Sequence, residues 1–158
     1  MRETAIISLL RERGLTLAVA ESLTGGMLVA RLIDVPGASN AVLGGVVAYD
    51  TRLKHSVLGV DSELLAERGP VDGDVARQMA DRVRTVLAVD GRPADVGVAT
   101  TGVAGPDPQG DAPVGTVYIG IAVGNVVSSR RVMLSGDRHA IREATVSEAL
   151  LSLAEALT

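Results

Sequence analysis

A serine at the end of a predicted strand is the residue of this chain with the clearest chemical potential. Ser22 follows the apolar run 15–20 and precedes Thr24, Gly25 and Gly26, after which an amphipathic segment begins. This predicted order of a strand, a tight turn and a helix start places the Ser22 hydroxyl at the edge where open α/β sheets bind ligands. The unpaired N–H groups of a helix start also favour anions. The pattern therefore fits either an attacking oxygen or a bound phosphate.

A lysine could supply the base that an attacking serine needs. Lys54 and Tyr49 follow the second predicted strand, and burial can lower the pKa of a lysine enough for it to act as a base. Tyr49 could relay the proton or orient the lysine. His55 and His139 lie in no recognisable triad motif. Lys54 with Tyr49 is the predicted activating pair for Ser22, while a solvated lysine and a helix-capping serine stay open at this stage.

Further polar residues are predicted at the same edge of the sheet. Thr101 and Gly102 end the third predicted strand and lead into a loop rich in Gly, Pro and Asp. Arg138 and Arg142 are four residues apart, so they share one face of a predicted helix and could hold an anion. Glu21 could act as a general acid or base, or could accept hydrogen bonds from nearby amides.

Hydrophobic periodicity and turn residues predict the elements that position these groups. The predicted helices cover residues 4–13, 25–33, 51–57, 62–68, 72–87 and 137–157. The predicted strands cover residues 15–20, 42–48, 94–101, 115–123 and 126–134. Asp137 is the predicted N-cap of the last helix, and Gly124-Asn125 the turn of a final hairpin. Early alternation of strands and helices, followed by a hairpin, predicts a three-layer α/β/α sandwich with a mixed, mostly parallel sheet.

Length and composition narrow the class of protein. The length predicts one domain over residues 1–158, and its core must be Val, Leu, Ile and Ala because aromatic residues make up only 1%. A net charge of −4 and the lack of a Lys/Arg cluster argue against direct nucleic-acid binding. With no cysteine and two histidines, a thiol nucleophile is excluded and a multi-histidine metal site is not expected. Residues 1–4 do not begin the long apolar region of a signal peptide, and no apolar run has the length that spans a membrane, so we expect a cytoplasmic protein.

Taken in order, these motifs resemble the CinA C-terminal domain family of competence/damage-inducible proteins, the nicotinamide-nucleotide amidases. The resemblance spans nearly the whole chain. It is carried by 20–26 (AESLTGG), Tyr49 with Lys54, 102–106 (GVAGP), 113–117 (PVGTV) and 136–138 (GDR) with Arg142. The chain departs from the family at Leu23, where cysteine is common, at Thr51, where asparagine is common, and at 107–110, which replace a glycine pair.

The resemblance implies hydrolysis of the carboxamide of nicotinamide mononucleotide, which gives nicotinic acid mononucleotide and ammonia without a metal or other cofactor. It also implies an α/β/α fold and a homodimer. By position, Ser22 would be the nucleophile, with Lys54 and Tyr49 activating it. The implied substrate-binding residues are Thr24, Gly25, Gly26, Thr101, Gly102, Arg138 and Arg142.

Two other classes of function stay open at this stage. A nucleotide- or phosphate-binding module without turnover would use the same glycine-rich helix start. An accessory module in DNA uptake or repair is suggested only by the family name, and the acidic charge balance argues against direct contact with DNA. Many relatives also carry an N-terminal domain that resembles molybdopterin-binding proteins. We do not expect that domain here, because the first predicted helix begins at residue 4.

Overall fold

The structure is a computed structural model that describes residues 2–158. The helices are α1 (Arg2–Arg13), α2 (Met27–Ile33), α3 (Thr51–Ser56), α4 (Ser62–Arg68), α5 (Gly73–Val86) and α6 (Arg138–Leu157). The strands are β1 (Leu17–Glu21), β2 (Val42–Val47), β3 (Val96–Gly102), β4 (Thr116–Val123) and β5 (Val126–Met133). Each predicted helix and strand is present, with its bounds within two residues of the prediction. Asp137 caps α6 as predicted, since its carboxylate accepts from the Ala140 N–H at 2.8 Å.

The five strands form one mixed sheet in the order β2-β1-β3-β4-β5. β1 is parallel to both of its neighbours, β2 and β3, whereas β4 is antiparallel to β3 and to β5. The mixed, mostly parallel sheet expected from the sequence is therefore confirmed, and its first three strands are parallel neighbours. Their carboxyl ends meet at one edge of the sheet, where open α/β folds place ligands.

Helices cover both faces of this sheet, which confirms the three-layer architecture. Because strand side chains alternate between faces, Leu17 and Val19 of β1 join the core beneath α1, α2 and α6. Ala18 and Ala20 join a second core beneath α5. Both cores consist of aliphatic side chains and methionine, as the scarcity of aromatic residues predicts.

α5 packs closely against the sheet at two glycines. A Cβ atom at Gly97 would lie 1.9 Å from the Ala80 carbonyl oxygen, and one at Gly120 would lie 2.1 Å from the Ala76 carbonyl oxygen. Only glycine fits at such distances. The close packing holds the segment that precedes α5 beside the end of β3, where the Thr101 hydroxyl donates to the Pro70 carbonyl oxygen at 2.7 Å.

The longest helix of the described residues, α6, has 20 residues, but charged side chains such as Arg142, Glu143 and Glu148 occur along it. Within residues 2–158, no helix combines the length and the apolar character that crossing a bilayer requires.

Candidate active site

The ends of β1 and β2 bring two chain segments side by side. Glu21 and Val47 are paired in the parallel register, and the Ala48 N–H donates to the Glu21 carbonyl oxygen at 2.8 Å. Ser22 and Ala48 therefore leave the sheet together. The Ser22 N–H donates in turn to the Thr100 carbonyl oxygen of β3 at 3.1 Å, which fixes the serine between its two neighbouring strands.

A short helix returns the chain to this point. The Asp50 carboxylate accepts from the Arg52 N–H at 2.9 Å and caps α3, as aspartate commonly does at a helix start. The first turn of α3 then directs the Lys54 side chain beneath the end of β2. At 1% exposure, Lys54 is among the most completely buried side chains of the protein.

The lysine amine and the serine hydroxyl are in direct contact. Lys54 Nζ lies 2.8 Å from Ser22 Oγ and 2.8 Å from the Ala48 carbonyl oxygen. Nζ donates to both oxygens when it is an ammonium group. When it is neutral, its lone pair can accept the proton of the Ser22 hydroxyl, so the contact has the geometry of a nucleophile and its base.

The surroundings of Lys54 favour the neutral amine. Burial lowers the pKa of Lys54 from 10.5 to about 8, because a charged ammonium loses its hydration, while the Asp50 carboxylate acts in the opposite direction. Hydrogen bonds from the Arg52 side chain hold the pKa of Asp50 well below its ordinary value, so Asp50 stays charged near neutral pH. A lysine with a pKa of about 8 has a substantial neutral fraction in slightly alkaline solution.

Ser22 and Lys54 lie in the wall of a cavity of about 590 Å³, here called the Ser22 cavity. Its volume is within the range of small-molecule sites. Four other residues predicted for the site also line it: Tyr49, Thr101, Gly102 and Arg138. Leu23, which follows Ser22 in the chain, lines it as well. The remaining wall consists of Asp50, Thr51, Arg52, Pro70, Val71, Val103, Ala104, Gly105, Asp107, Pro108 and Gln109.

Tyr49 lines the cavity but does not contact the Ser22–Lys54 pair. Its side chain is 60% exposed, and its hydroxyl oxygen accepts from Arg138 Nη2 at 2.8 Å. Arg138 Nη1 donates to the Gly105 carbonyl oxygen. Within residues 2–158, the Tyr49 hydroxyl makes no hydrogen bond to Ser22 or Lys54, so the structure does not provide the predicted proton relay. Tyr49 instead holds the Arg138 guanidinium at the cavity wall.

Two N–H groups in the first turn of α2, a region that the sequence pattern suggests for anion binding, are bound within the protein. The Glu21 side chain is fully buried, and its two carboxylate oxygens accept from the Leu28 N–H at 2.9 Å and the Val29 N–H at 3.1 Å. A carboxylate of the protein thus occupies the positive end of α2. Of the two roles considered for Glu21, the structure favours the bonded carboxylate.

Four predicted binding residues lie outside the wall of the Ser22 cavity. Thr24 is buried, and its hydroxyl lies 2.8 Å from that of Thr100. Gly25 and Gly26 form the turn into α2 with φ of 57° and 101°, a region that favours glycine. Arg142 Nε donates to the Leu23 carbonyl oxygen at 2.7 Å. These residues shape the loop that carries Ser22 and do not line the Ser22 cavity.

The sequence also carried signals that our prediction did not use. Lys54 is the only lysine of the chain, among 15 Lys and Arg residues, yet it is buried. Asp50 and Arg52 line the cavity, and the Asp-Thr-Arg start of α3 could have indicated a helix cap.

The structure also shows a backbone donor beside Ser22 that the sequence does not reveal. The Leu23 N–H, which directly follows the serine in the chain, makes no hydrogen bond within residues 2–158.

Comparison with known proteins identifies the family. The sequence profile of the CinA C-terminal domain matches residues 1–157. The chain belongs to this CinA family. Two relatives illustrate the similarity: a CinA-like protein of Frankia casuarinae, 52% identical over 148 residues, and one of Geobacter sulfurreducens, 45% identical over 149 residues. Each alignment covers 94% of this chain but only 33% and 35% of the relative, so the chain spans about a third of the length of these CinA relatives.

Solved structures of CinA proteins have the same fold. A CinA superfamily protein from Enterobacter cloacae is 31% identical with a TM-score of 0.93, over 99% of this chain and 90% of that one. The competence/damage inducible protein CihA from Agrobacterium tumefaciens is 35% identical with a TM-score of 0.88, over 99% and 93%. The family and the architecture inferred from the sequence are therefore confirmed.

Proposed function

We propose that this CinA-family chain is an amidase that hydrolyses the carboxamide of nicotinamide mononucleotide to nicotinic acid mononucleotide and ammonia. One observation carries the proposal: the 2.8 Å contact between the buried amine of Lys54 and the hydroxyl of Ser22 in the wall of an open cavity. A helix-capping serine and a solvated lysine would not require this contact, whereas nucleophilic catalysis does.

In the first half of the proposed reaction, neutral Lys54 accepts the proton of the Ser22 hydroxyl while Oγ attacks the carboxamide carbon. The carbonyl oxygen becomes an oxyanion, which needs hydrogen-bond donors nearby. The Leu23 N–H is a candidate donor, because it directly follows the nucleophile and has no partner within residues 2–158. Breakdown of the intermediate breaks the C–N bond, and the Lys54 ammonium returns its proton to the leaving nitrogen, which departs as ammonia.

The second half of the proposed reaction hydrolyses the ester on Ser22. Neutral Lys54 accepts a proton from a water molecule, whose oxygen attacks the acyl carbon. When the C–Oγ bond breaks, Lys54 returns the proton to Ser22 Oγ, and the acid product releases its remaining proton to water and leaves as the carboxylate. One amine thus acts alternately as base and acid, which requires a pKa near the working pH. The pKa of Lys54, about 8, meets this requirement.

The rest of the cavity suits a nucleotide. Its volume of about 590 Å³ is within the range of sites for ligands of this size. Arg138, held by Tyr49 and Gly105, presents a guanidinium that can bind phosphate or ribose oxygens. In this proposal Thr101 and Gly102 line the bound substrate, Tyr49 is a positioning residue for Arg138, and Thr24, Gly25, Gly26 and Arg142 support the Ser22 loop.

The activity is tested by incubating the purified chain with nicotinamide mononucleotide and measuring both products. We expect ammonia and nicotinic acid mononucleotide in equal amounts, with no added metal. Calorimetric binding of the nucleotide without either product would instead favour a binding module without turnover. If neither binding nor product is detected, nicotinamide mononucleotide is not the substrate and this part of the proposal fails.

We also propose that the chain acts in the cytoplasm as a homodimer without direct contact to nucleic acid. The family resemblance supports the dimer, and the net charge of −4 supports the lack of nucleic-acid binding. Light scattering tests the dimer, for which a mass of about twice 16.2 kDa is expected. A salt-dependent shift of DNA in a gel would contradict the proposed lack of direct contact with nucleic acid.

A further inference from the structure

The Ser22 cavity holds two arginines that differ in how firmly they are bound. The Arg138 guanidinium has two partners, the Tyr49 hydroxyl and the Gly105 carbonyl oxygen. The Arg52 guanidinium has only the Asp50 carboxylate within residues 2–158, with Nε 3.0 Å from Oδ1 and Nη2 2.7 Å from Oδ2. The Arg52 side chain is 89% exposed. Its single ion pair therefore lies in water at the mouth of the cavity.

An ion pair as exposed as Arg52–Asp50 is easily exchanged. Water screens the attraction, so such pairs add little to stability. A phosphate monoester carries up to two negative charges and several terminal oxygens that match the two parallel N–H groups of a guanidinium. A phosphate in the cavity would therefore compete well with the single charge of Asp50 for Arg52.

The placement of Arg52 and Lys54 on α3 separates two chemical environments. Residues two apart on a helix do not share a face. Lys54 accordingly points inward to Ser22 and is 1% exposed, whereas Arg52 points to solvent at the same cavity. One helical turn thus presents a buried reactive centre and an exposed cation. This polarity fits a ligand with an uncharged amide at one end and a phosphate at the other.

We propose that Arg52 exchanges Asp50 for the phosphate of the substrate, and that this contact gives the site its preference for nucleotides over the corresponding nucleosides. The inference rests on the proposed amidase function and adds a specificity-determining residue to it.

The test compares two substrates that share one carboxamide, nicotinamide mononucleotide and nicotinamide riboside. The ratio of their kcat/KM values isolates the phosphate contact, because an effect on Ser22 or Lys54 acts on both substrates. The variants are Arg52→Gln and Arg52→Lys. Arg68→Gln is the matched control: Arg68 is an exposed arginine with a 2.7 Å contact to Asp74, and it does not line the Ser22 cavity.

In Arg52→Gln we expect the preference for the nucleotide to fall by about tenfold or more, the effect of losing a charge-assisted hydrogen bond. Arg52→Lys should restore part of the preference, since lysine keeps the charge but lacks the planar fork. Arg68→Gln should keep the preference of the wild type. An unchanged ratio in Arg52→Gln, or an equal fall in Arg68→Gln, would overturn the inference.

A binding experiment separates this inference from the proposed activity. In a Ser22→Ala background, calorimetry compares the affinities for the nucleotide, the riboside and inorganic phosphate, with and without Arg52→Gln. We expect the second substitution to weaken binding of the nucleotide and of inorganic phosphate more than that of the riboside. Equal weakening of all three would reject the role of Arg52. This result does not depend on turnover, so it holds even if the wild type releases no ammonia.

Discussion

Lys54 Nζ lies 2.8 Å from Ser22 Oγ in a position where neither side chain is more than 7% exposed. The two residues are 32 positions apart in the sequence and come from turns that follow adjacent parallel strands. Neither histidine of the chain lines the cavity around this pair. The only lysine of the protein therefore lies where the proposed nucleophile, Ser22, needs its base.

The pKa of this lysine can be measured directly, because selective labelling of lysine gives a single side-chain signal. Burial lowers the pKa of Lys54 to about 8, so NMR titration of the labelled amine should have its midpoint near that pH. The acidic limb of the kcat/KM profile should coincide with this midpoint, since it reports the base of the free enzyme. A midpoint near the ordinary value for lysine would contradict the role assigned to burial.

Stability should depend on pH through the same group. Between about pH 8 and pH 10.5 the folded protein holds Lys54 neutral while the unfolded chain holds it charged. The unfolded state binds more protons in this interval, so the free energy of unfolding should rise with pH, by about 3 kcal/mol in total. Urea denaturation of wild type and Lys54→Met isolates the effect, because Met lacks the titrating amine. Parallel curves for the two proteins would argue against a buried, titrating Lys54.

Asp50 should tune the pH dependence of the reaction. Its negative charge raises the pKa of Lys54, so Asp50→Asn should move the acidic limb of kcat/KM to lower pH. Asparagine is also a good N-cap, so α3 should still form. Asp61→Asn makes the same change at the cap of α4, outside the cavity, and should leave the profile in place. A profile that moves equally in both variants would show a general effect of net charge.

Tyr49 should affect substrate binding more than the chemical step. Its hydroxyl contacts Arg138 rather than Lys54, so Tyr49→Phe should raise KM by about fivefold, the effect of one hydrogen bond, and change kcat little. Tyr118→Phe is the control, because Tyr118 is the other tyrosine of the chain and does not line the Ser22 cavity. A fall in kcat of about a hundredfold without a change in KM would restore the proton relay that the sequence suggested.

The fold could be predicted from the sequence because its signals are local and agree with one another. Aliphatic runs of strand length, a helical period in 73–86 and glycines at the turns each specify one element. The meeting of Ser22 and Lys54 also followed, since parallel neighbouring strands place their ends together. The structure adds the register: because Glu21 is paired with Val47, the segments that carry Ser22 and Lys54 leave the sheet side by side.

The wall of the cavity could not be predicted in the same way. The motif from Glu21 to Gly26 suggests an anion site at the start of α2, but the sequence does not reveal that the Glu21 carboxylate itself binds the Leu28 and Val29 N–H groups there. Arg142 has the spacing of a binding residue, but its partners are carbonyl oxygens 118 and 119 positions away in the chain. The orientation of such side chains depends on tertiary contacts, and the spacing of residues along one helix does not specify those contacts.

The most direct test of the account measures ammonia release from nicotinamide mononucleotide by the wild type, by Ser22→Ala and by Ser56→Ala. Ser56 ends the same helix that carries Lys54 but is exposed and does not line the cavity, so its variant controls for the loss of a hydroxyl. We predict that Ser22→Ala lowers the rate by at least about a thousandfold, because the nucleophile is lost, and that Ser56→Ala matches the wild type. Equal rates in the wild type and Ser22→Ala would contradict the central claim that Ser22, activated by Lys54, attacks the amide.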